Sequence, residues 1–302
     1  MSAMFTPHLI GLVALTDKLG VDEALRTVSS AIEKAGMESV LIRELAQLEQ
    51  FVTEGDQAAI LSKVELLLTF GGDGTMLSMA ATSAMSQVPL AGVNLGRLGF
   101  LTTCSVQGIE YFVECLRQGT CLVRERSLLE AQSVSADGTR REGRKLALNE
   151  VTLMRSQNGK MVDLDAVVNG VLLNRYHADG VLVATPTGSS AYSLSAGGPL
   201  VWPESDVICV TPVCPHSLTN RSVILPDSVE IQLRPRARRG RSDSMLYSLD
   251  GRDTHTIEVG ESLIVKKAPE QLQLVHLPDY NFAELLRAKL RWQGTELPWD
   301  DE

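Results

Sequence analysis

The chain has 302 residues, of which 44% are hydrophobic and 22% are charged, so it holds enough apolar material for two cores of common size and is not a disordered, collagen-like or coiled-coil protein. Its formal charge of −9 gives it no general attraction to nucleic acid or anionic lipid, so phosphorylated ligands would need local binding devices. No stretch approaches the ~20 apolar residues of a membrane span, and the N-terminus has no basic flank before its short apolar run, so we expect neither a membrane segment nor a targeting signal.

The first part of the chain has the pattern of a parallel α/β sheet. From His8 to about Thr120, short apolar runs alternate with longer segments of helical period, which is typical of βαβ units. The expected strands are His8–Leu15, Met37–Ile42, Val64–Phe70 and Val88–Val93. The first expected helix ends at Gly36 and has Leu25, Val28, Ile32 and Ala35 at core spacing. The second expected helix covers Thr75–Ser86.

Two glycine-bearing loops follow two of these strands. Val64–Phe70 ends in Gly71-Gly72-Asp73-Gly74-Thr75, and Val88–Val93 runs into the segment 94–100. Ligands of α/β proteins bind at the carboxyl ends of the parallel strands, so both loops are candidate ligand sites.

From about Arg124 to about His276 the helical period disappears, and short β-branched strands between turn signals predict an all-β second domain. Asn169-Gly170 between apolar runs predicts a hairpin with a type I′ turn. The basic cluster 234–241 lies between Val229–Leu233 and Met245–Leu249, which favours an exposed hairpin loop over a nucleic-acid patch.

A closing amphipathic helix is expected over Asp279–Trp292, with Asp279 as N-cap, Phe282, Leu286 and Leu290 on one side, and Gly294 past its end. The expected organisation is an α/β domain at 1–124 with a Rossmann-like parallel sheet, a β-rich domain at 125–277, and a helix and tail at 278–302 that pack back on the first domain. The five cysteines are odd in number and form no C-x-x-C pair, so buried reduced thiols in a cytoplasmic protein are expected.

The Gly71–Thr75 loop combines backbone freedom with one carboxylate. Its three glycines allow N–H groups to approach phosphate oxygens, and the following helix adds its positive end. Asp73 would be repelled by a phosphate unless it binds a neutralising metal or takes a proton from an attacking hydroxyl, and either role indicates phosphoryl transfer. The alternative is a plain tight turn. The loop is neither a Walker A motif nor a good dinucleotide fingerprint.

The segment 179–199 is a strand that leads into a run of hydroxyl residues and glycines with one aromatic, Tyr192. Such a loop can bind a flat polar ligand, because hydroxyls and amides can bond phosphate or ribose and Tyr192 offers a stacking face or a hydroxyl. The alternative is an ordinary loop, which has the same composition.

Four blocks of sequence together resemble the NAD kinase family. They occur in family order and cover residues from about 70 to 200. They are Gly71-Gly72-Asp73-Gly74, the segment 94–102 with Asn94, Gly96 and Gly99, Asn149-Glu150, and the segment 179–199 with Thr185-Pro186-Thr187-Gly188 and Ser195-Ala196-Gly197-Gly198-Pro199.

The resemblance implies ATP-dependent phosphorylation of the 2′-hydroxyl of the adenosine ribose of NAD, with Mg²⁺ or Mn²⁺ as the divalent cation and no dedicated metal cage visible in the sequence. It implies that Asp73 is the base and that ATP phosphates lie at Gly71, Gly72, Gly74 and Thr75. The residues that it implies for NAD are Asp73, Gly74, Asn149, Glu150, Lys160, His177, Asp179, Thr187, Ser190, Ala191, Tyr192, Ser193, Leu194, Ser195 and Arg252.

The resemblance also implies a homo-oligomer, dimer or tetramer, because Asp179 matches a residue that reaches the dinucleotide of a neighbouring subunit. No nucleic-acid or membrane partner is expected. Ser78 stands where many members carry a basic residue, so the triphosphate would depend more on the cation. His216 is interpreted as structural.

Two alternative functions remain open from the sequence. One is a lipid or sphingoid-base kinase, which would share the Gly-Gly-Asp-Gly loop. The other is a dinucleotide-binding regulator without turnover, in which Asp73 would be expendable.

Overall fold

A parallel sheet forms the centre of the first half of the chain. The computed structural model describes residues 4–14, 20–42, 60–96, 99–141, 143–156, 161–237 and 244–292. The order β2-β1-β3-β4-β5 is parallel throughout, which confirms the α/β architecture. The strands are β1 (Leu9–Ala14), β2 (Glu38–Leu41), β3 (Leu66–Phe70), β4 (Leu90–Asn94) and β5 (Cys104–Ser105), and the helices are α1 (Val21–Lys34), α2 (Asp73–Ser86) and α3 (Ile109–Gln118).

Helices cover both faces of this sheet. Val28 and Ile32 of α1 are buried against one face together with side chains of α3, whereas Met76 and Met79 of α2 are buried against the other. Helix α1 ends before Gly36, which takes the left-handed φ of 78° expected of a helix stop. The amphipathic pattern of the sequence therefore corresponds to the packing of the helices.

The second half is β-rich, as expected. Its strands form two sheets, and Asn169 and Gly170, with φ angles of 47° and 82°, join a strand that ends at Val168 to one that begins at Val171, which confirms the predicted hairpin. The elements are β6 (Leu122–Val134), β7 (Lys145–Ala147), β8 (Glu150–Arg155), β9 (Val162–Val168), β10 (Val171–Ala178), β11 (Gly180–Ala184), α4 (Tyr192–Ser195), β12 (Val207–Val213), β13 (Val223–Pro226), β14 (Ile231–Arg236), β15 (Met245–Leu249), β16 (Arg252–Ile257), β17 (Ser262–His276) and the closing α5 (Phe282–Leu290).

One sheet continues from the first half into the second. Its order is β10-β9-β14-β17-β4-β3-β1-β2, with β6 paired antiparallel to β17 along its length. The end of β17 lies parallel to β4, where Leu274 is opposite Leu90, while its start pairs with β14. The second sheet has the order β13-β12-β11-β8-β15-β16 and belongs to the β-rich half alone.

The predicted hairpin around the basic cluster is wrong. Strands β14 and β15 lie in different sheets, since β14 pairs with β9 and β17 whereas β15 pairs with β8 and β16. Arg234 and Arg236 belong to β14 itself, and Arg236 donates to Asp165 at 2.7 Å. The remainder of the cluster, from residue 238, lies outside the described residues.

The closing helix begins later than expected. Its N-cap is Asn281, not Asp279, because the Asn281 side chain accepts the N–H groups of Ala283 and Glu284. The ring of Phe282 contacts Trp202 of the β-rich half, with 5.1 Å between centroids, and Lys289 lies 5.7 Å from the ring of Phe100 in the first half. Gly294 is outside the described residues.

All five cysteines are unpaired, and four are buried, whereas Cys214 is exposed, contrary to expectation. Cys214 has a left-handed φ of 47° in the turn after β12. Among the described helices, none is long and apolar enough to cross a membrane.

Candidate active site

The two glycine-bearing loops meet at the carboxyl edge of the parallel sheet. Strands β3 and β4 are neighbours, and the N–H of Gly71 donates to the carbonyl of Val93 at 2.9 Å. Asp73 accepts the N–H of Phe100 on one oxygen at 2.8 Å and the N–H of Leu101 on the other at 2.9 Å. The carboxylate is thus fixed between the start of α2 and the second loop.

Helix α2 begins at Asp73, two residues earlier than predicted, so Asp73 and Gly74 lie in its first turn. The first N–H groups of a helix have no acceptor within that helix, and they attract anions together with the helix dipole. The N–H of Gly71 already donates to the carbonyl of Val93, so it is not available to a ligand. Gly71 therefore contributes only to the backbone path of the loop. The hydroxyl of Ser78 donates to the carbonyl of Thr75 at 2.7 Å and brings no positive charge.

The second sheet brings three further segments to one edge. Ala184, at the end of β11, is opposite Glu150, at the start of β8, and Leu249, at the end of β15, is opposite Val151. The Asn149-Glu150 pair, the segment after Ala184 and the turn after Leu249 therefore lie side by side. Antiparallel pairing explains why residues so far apart in sequence meet there.

Glu150 is a buried carboxyl group at this edge. Its exposed fraction is 6%, and its Oε2 atom has no hydrogen-bond partner. Burial, followed by the nearby charge of Asp250, raises the pKa of Glu150 to about 7, although the N–H of Tyr192 opposes this. An acceptor oxygen without a partner in a buried position is suited to a ligand hydroxyl.

The backbone of Asn149 is held from two sides. Its carbonyl accepts the N–H of Thr185 at 2.9 Å, and a Cβ atom at Gly188 would lie 2.0 Å from that same carbonyl oxygen. Only glycine allows this close approach. On the other side, the carboxylate of Asp250 accepts the N–H groups of Leu148, Asn149 and Glu150 at 2.9, 2.7 and 3.0 Å.

The segment 187–195 forms a short 3₁₀ turn followed by α4. Thr187 has a buried hydroxyl oxygen with no partner, whereas Tyr192 is 40% exposed and its N–H points to Glu150. Burial and the charges of Cys214, Asp179 and Glu150 raise the pKa of Tyr192. The remaining predicted residues of this segment lie in the same turn and helix: Ser190, Ala191, Ser193, Leu194 and Ser195.

Asp179 and His177 are paired within their own chain. Arg155 Nε lies 2.8 Å from Asp179 Oδ1, and His177 Nδ1 lies 2.7 Å from Asp163 Oδ1. His216 contacts His177 edge to face and donates its backbone N–H to the carbonyl of His177 at 2.9 Å. These contacts support the structural interpretation of His216. Lys160, which the sequence predicts as a ligand residue, is outside the described residues.

Arg252 joins the two halves of the candidate site. It follows the Asp250-Gly251 turn, and its Nη2 atom donates to the carbonyl of Gly74 in the first turn of α2. A guanidinium group therefore stands beside the helix start, where Ser78 gives no cation.

Two partners of the predicted site residues were not assigned a role from the sequence. Asp250 holds Asn149 and Glu150, and Arg155 holds Asp179. The Asp-Gly pair between two apolar runs is a readable turn signal, but the amides that Asp250 binds are about a hundred residues away. Nothing in the sequence around Arg155 indicates that it pairs with Asp179.

The residues at the helix start fit a cation that is held mainly by phosphate oxygens. Among the described residues, no three His, Cys, Asp or Glu side chains are grouped as a metal site. Mg²⁺ commonly takes one or two carboxylates together with phosphate oxygens and waters. Asp73 is the carboxylate at the start of α2, and each of its oxygens has a lone pair beyond the amide bond it accepts.

Both halves of the chain match models of known domains. The family model of the ATP-NAD kinase N-terminal domain matches residues 14–119, and that of the ATP-NAD kinase C-terminal domain matches residues 148–277. An NAD kinase of Sulfurimonas denitrificans is 40% identical over 77% of this chain and 79% of its own length. An NAD kinase of Gemmatimonas aurantiaca is 36% identical over 94% of this chain and 96% of its own length.

Solved structures agree with these matches. Yeast NADH kinase complexed with NADH is 25% identical, with a TM-score of 0.83 over 95% of this chain and 88% of its own. An NAD kinase from Archaeoglobus fulgidus in complex with ATP is 24% identical and is similar in fold, with a TM-score of 0.70 over 95% of this chain and 100% of its own. The alternatives of a lipid kinase and of a regulator without turnover gain no support here. The chain belongs to the ATP-NAD kinase family and is a phosphotransferase.

Proposed function

We propose that this chain transfers the γ-phosphoryl group of ATP to the 2′-hydroxyl of the adenosine ribose of NAD, giving NADP and ADP. The 2′-oxygen forms a bond to the γ-phosphorus, the bond between that phosphorus and the β–γ bridging oxygen breaks, and the hydroxyl proton passes to a carboxylate. The observation that carries the proposal is the contact of Arg252 with Gly74, because it joins the helix start at Asp73 to the edge that holds Glu150.

Asp73 is the base in this proposal. Two backbone N–H groups hold its carboxylate at the helix start, so it is oriented before substrate binds. The N–H groups at Gly72 and Gly74 are proposed to face the phosphates of ATP, with Gly71 and Thr75 shaping the turn. A bound Mg²⁺ or Mn²⁺, held mainly by phosphate oxygens and waters, would neutralise charge on the triphosphate.

Glu150 and its neighbours are proposed to recognise the adenosine half of NAD. The free Oε2 of Glu150 can accept from a ribose hydroxyl, and the partnerless Thr187 hydroxyl and the exposed face of Tyr192 offer further polar and stacking contacts. The other residues proposed for NAD are Asn149, Lys160, His177, Asp179, Ser190, Ala191, Ser193, Leu194, Ser195 and Arg252.

A homo-oligomer, dimer or tetramer, is part of the proposal, with Asp179 contributing to the site of a neighbouring subunit. Asp179 lies between β10 and β11, and its carboxylate stays partly exposed although Arg155 pairs with it in the same chain. A variant that is monomeric by sedimentation should lose activity with its fold intact, and an active monomer would refute this point. A cytoplasmic location, without a nucleic-acid or membrane partner, is also proposed, and the five unpaired cysteines support a reducing compartment.

The decisive experiment follows NADP formation from NAD, ATP and Mg²⁺ with a coupling enzyme that responds to NADP alone. Turnover by the purified chain is the expected result. Binding of NAD without turnover would favour the regulator, and phosphorylation of a sphingoid base without NADP formation would favour the lipid kinase.

A further inference from the structure

The turn between β15 and β16 touches both halves of the candidate site. Asp250 and Gly251 form its tip, with φ angles of 50° and 69°, which is the geometry of a two-residue type I′ turn. Residues 250–252 contact the Asn149-Glu150 pair on one side and α2 on the other.

The Asp250 side chain binds backbone groups far outside its own turn. Its carboxylate accepts three successive N–H groups, and its own N–H donates to the carbonyl of Glu150 at 2.9 Å. The carboxylate is withdrawn from water, which raises the pKa of Asp250, while the three amides and the Arg252 guanidinium favour the charged form. The three amide donors favour the ionised form of this carboxylate because each donates to one of its oxygens.

The arrangement fixes the N–H groups at the start of β8, while Thr185 holds the carbonyl of Asn149 on the other side. Glu150 is the first residue of β8, and Leu148 and Asn149 precede the strand. Without Asp250, their N–H groups would need other partners, since buried amides are costly to leave unpaired.

We propose that the turn Asp250-Gly251-Arg252 is a positioning element of the active site, in which Asp250 fixes the backbone of Asn149 and Glu150 and Arg252 ties the same turn to the first turn of α2. This positioning role rests on the proposed function, because it concerns the same site. Asp250 acts through its neighbours and is not assigned a contact with substrate.

The first test measures backbone protection and needs no activity. In Asp250→Asn, an amide NH₂ replaces one acceptor oxygen and faces an N–H donor. We expect amide hydrogen exchange at residues 148–150 to accelerate by about tenfold, with exchange in β1 unchanged. The matched control is Asp165→Asn, which alters a buried carboxylate of β9 paired with Arg175 and Arg236. That control should leave residues 148–150 as protected as in wild type.

The second test separates positioning from a loss of stability. We expect Asp250→Asn to raise the KM for NAD by about tenfold and to move the pH midpoint of that KM towards acid, because a negative charge next to Glu150 is removed. The groups that face Glu150 are Asp250 and, from α4, Tyr192. In a Glu150→Gln background the pH midpoint should be absent, and adding Asp250→Asn should shift nothing further.

The third variant covers the case in which Asp250→Asn does not fold. Arg252 is exposed at the turn, and Arg252→Ala should fold and accelerate amide exchange in the first turn of α2 by about tenfold, a readout that the loss of a direct NAD contact would not move. Arg252→Lys should restore only part of the protection, since a lysine lacks the planar fork.

Unchanged exchange at residues 148–150 in Asp250→Asn and at α2 in Arg252→Ala would overturn the proposal, as would effects equal to those of Asp165→Asn. These outcomes are distinct from a failure of the proposed function. A chain that forms no NADP could still show the exchange pattern, and an active kinase could lack it.

Discussion

The carboxylate of Asp73 accepts the backbone N–H of Leu101 at 2.9 Å, so the first residue of α2 holds the loop that follows the neighbouring strand. In Asp73→Asn, the amide group keeps one acceptor and sets its NH₂ against a backbone donor. We expect turnover to fall by about 10²–10⁴-fold, as for loss of a general base, and the free energy of unfolding to fall by about 1–3 kcal/mol. NADP formation and thermal unfolding measure the two effects.

The control for this substitution is Ser78→Ala, because the Ser78 hydroxyl bonds only within its own helix as far as the structure describes it. It should retain wild-type turnover. An Asp73→Asn variant that binds NAD and turns over at the wild-type rate would show that Asp73 is not the base.

Gly99 leaves room for the Asp73 carboxylate. A Cβ atom at Gly99 would lie 1.8 Å from Asp73 Oδ1, whereas one at Gly96 would meet nothing within 4 Å. We therefore expect Gly99→Ala to displace the carboxylate and lower kcat by about 10²-fold, while Gly96→Ala stays close to wild type. Equal kcat values for the two alanine variants would contradict this steric argument.

The raised pKa of Glu150, about 7, predicts a pH-dependent affinity for NAD. The carboxylate form accepts from ribose hydroxyls, and its fraction rises about tenfold between about pH 6 and about pH 8. The KM for NAD should fall by a similar factor over that range, and Glu150→Gln should show a high KM without this dependence. Glu130→Gln, in a remote ion pair with Arg144, should keep the wild-type profile.

Glu150 also affects stability in a defined direction. Its pKa is higher in the folded protein than in the unfolded chain, so its contribution is favourable below about pH 4.5 and is lost as the pH rises through about 7. Glu150→Gln should remove this pH-dependent decrease in the free energy of unfolding, which is at most about 3 kcal/mol. Chemical denaturation at both pH values checks the sign, and a variant that is less stable than wild type only at high pH would contradict it.

His276 predicts acid sensitivity of the fold. It is 1% exposed, it stacks on Tyr280, and burial with the charges of Arg126 and Arg124 lowers its pKa to about 3. The stability that depends on neutral His276 is present above about pH 6.5 and is lost as the pH falls, by about 2 kcal/mol at about pH 5.

The variant His276→Phe keeps a stacked ring without a titrating group. Its Tm should fall less than that of wild type between about pH 7.5 and about pH 5. The exposed His8 offers a control, since His8→Ala should follow wild type. Parallel Tm curves for wild type and His276→Phe would refute the prediction.

Local signals in the sequence were sufficient for much of this architecture. The strand, glycine loop and helix around Asp73 follow from composition and spacing, and the Asn169-Gly170 turn follows from the need for positive φ at both positions. The resemblance to the family covered the two glycine loops and the segment 179–199. These features depend on residues that are close in sequence.

The features that the sequence did not predict depend on distant pairing. Strands β14 and β15 are close in sequence, yet each finds its partners in a different sheet, and nothing in the loop between them encodes that choice. Asp250 likewise reads as an ordinary turn residue until β8 is placed beside β15. The N-cap at Asn281 rather than Asp279 shows a simpler limit, because either side chain can cap a helix.

The continuous sheet has a mechanical consequence. Strands β6 and β17 run as a ladder from the β-rich half to β4 of the α/β half, so the two halves share one hydrogen-bonded sheet. A cut between residues 119 and 148, where the two matched domains part, would separate β4 from the end of β17 and leave both strand edges open. Neither matched domain is therefore expected to fold when it is expressed alone, because each would lack partner strands of the shared sheet.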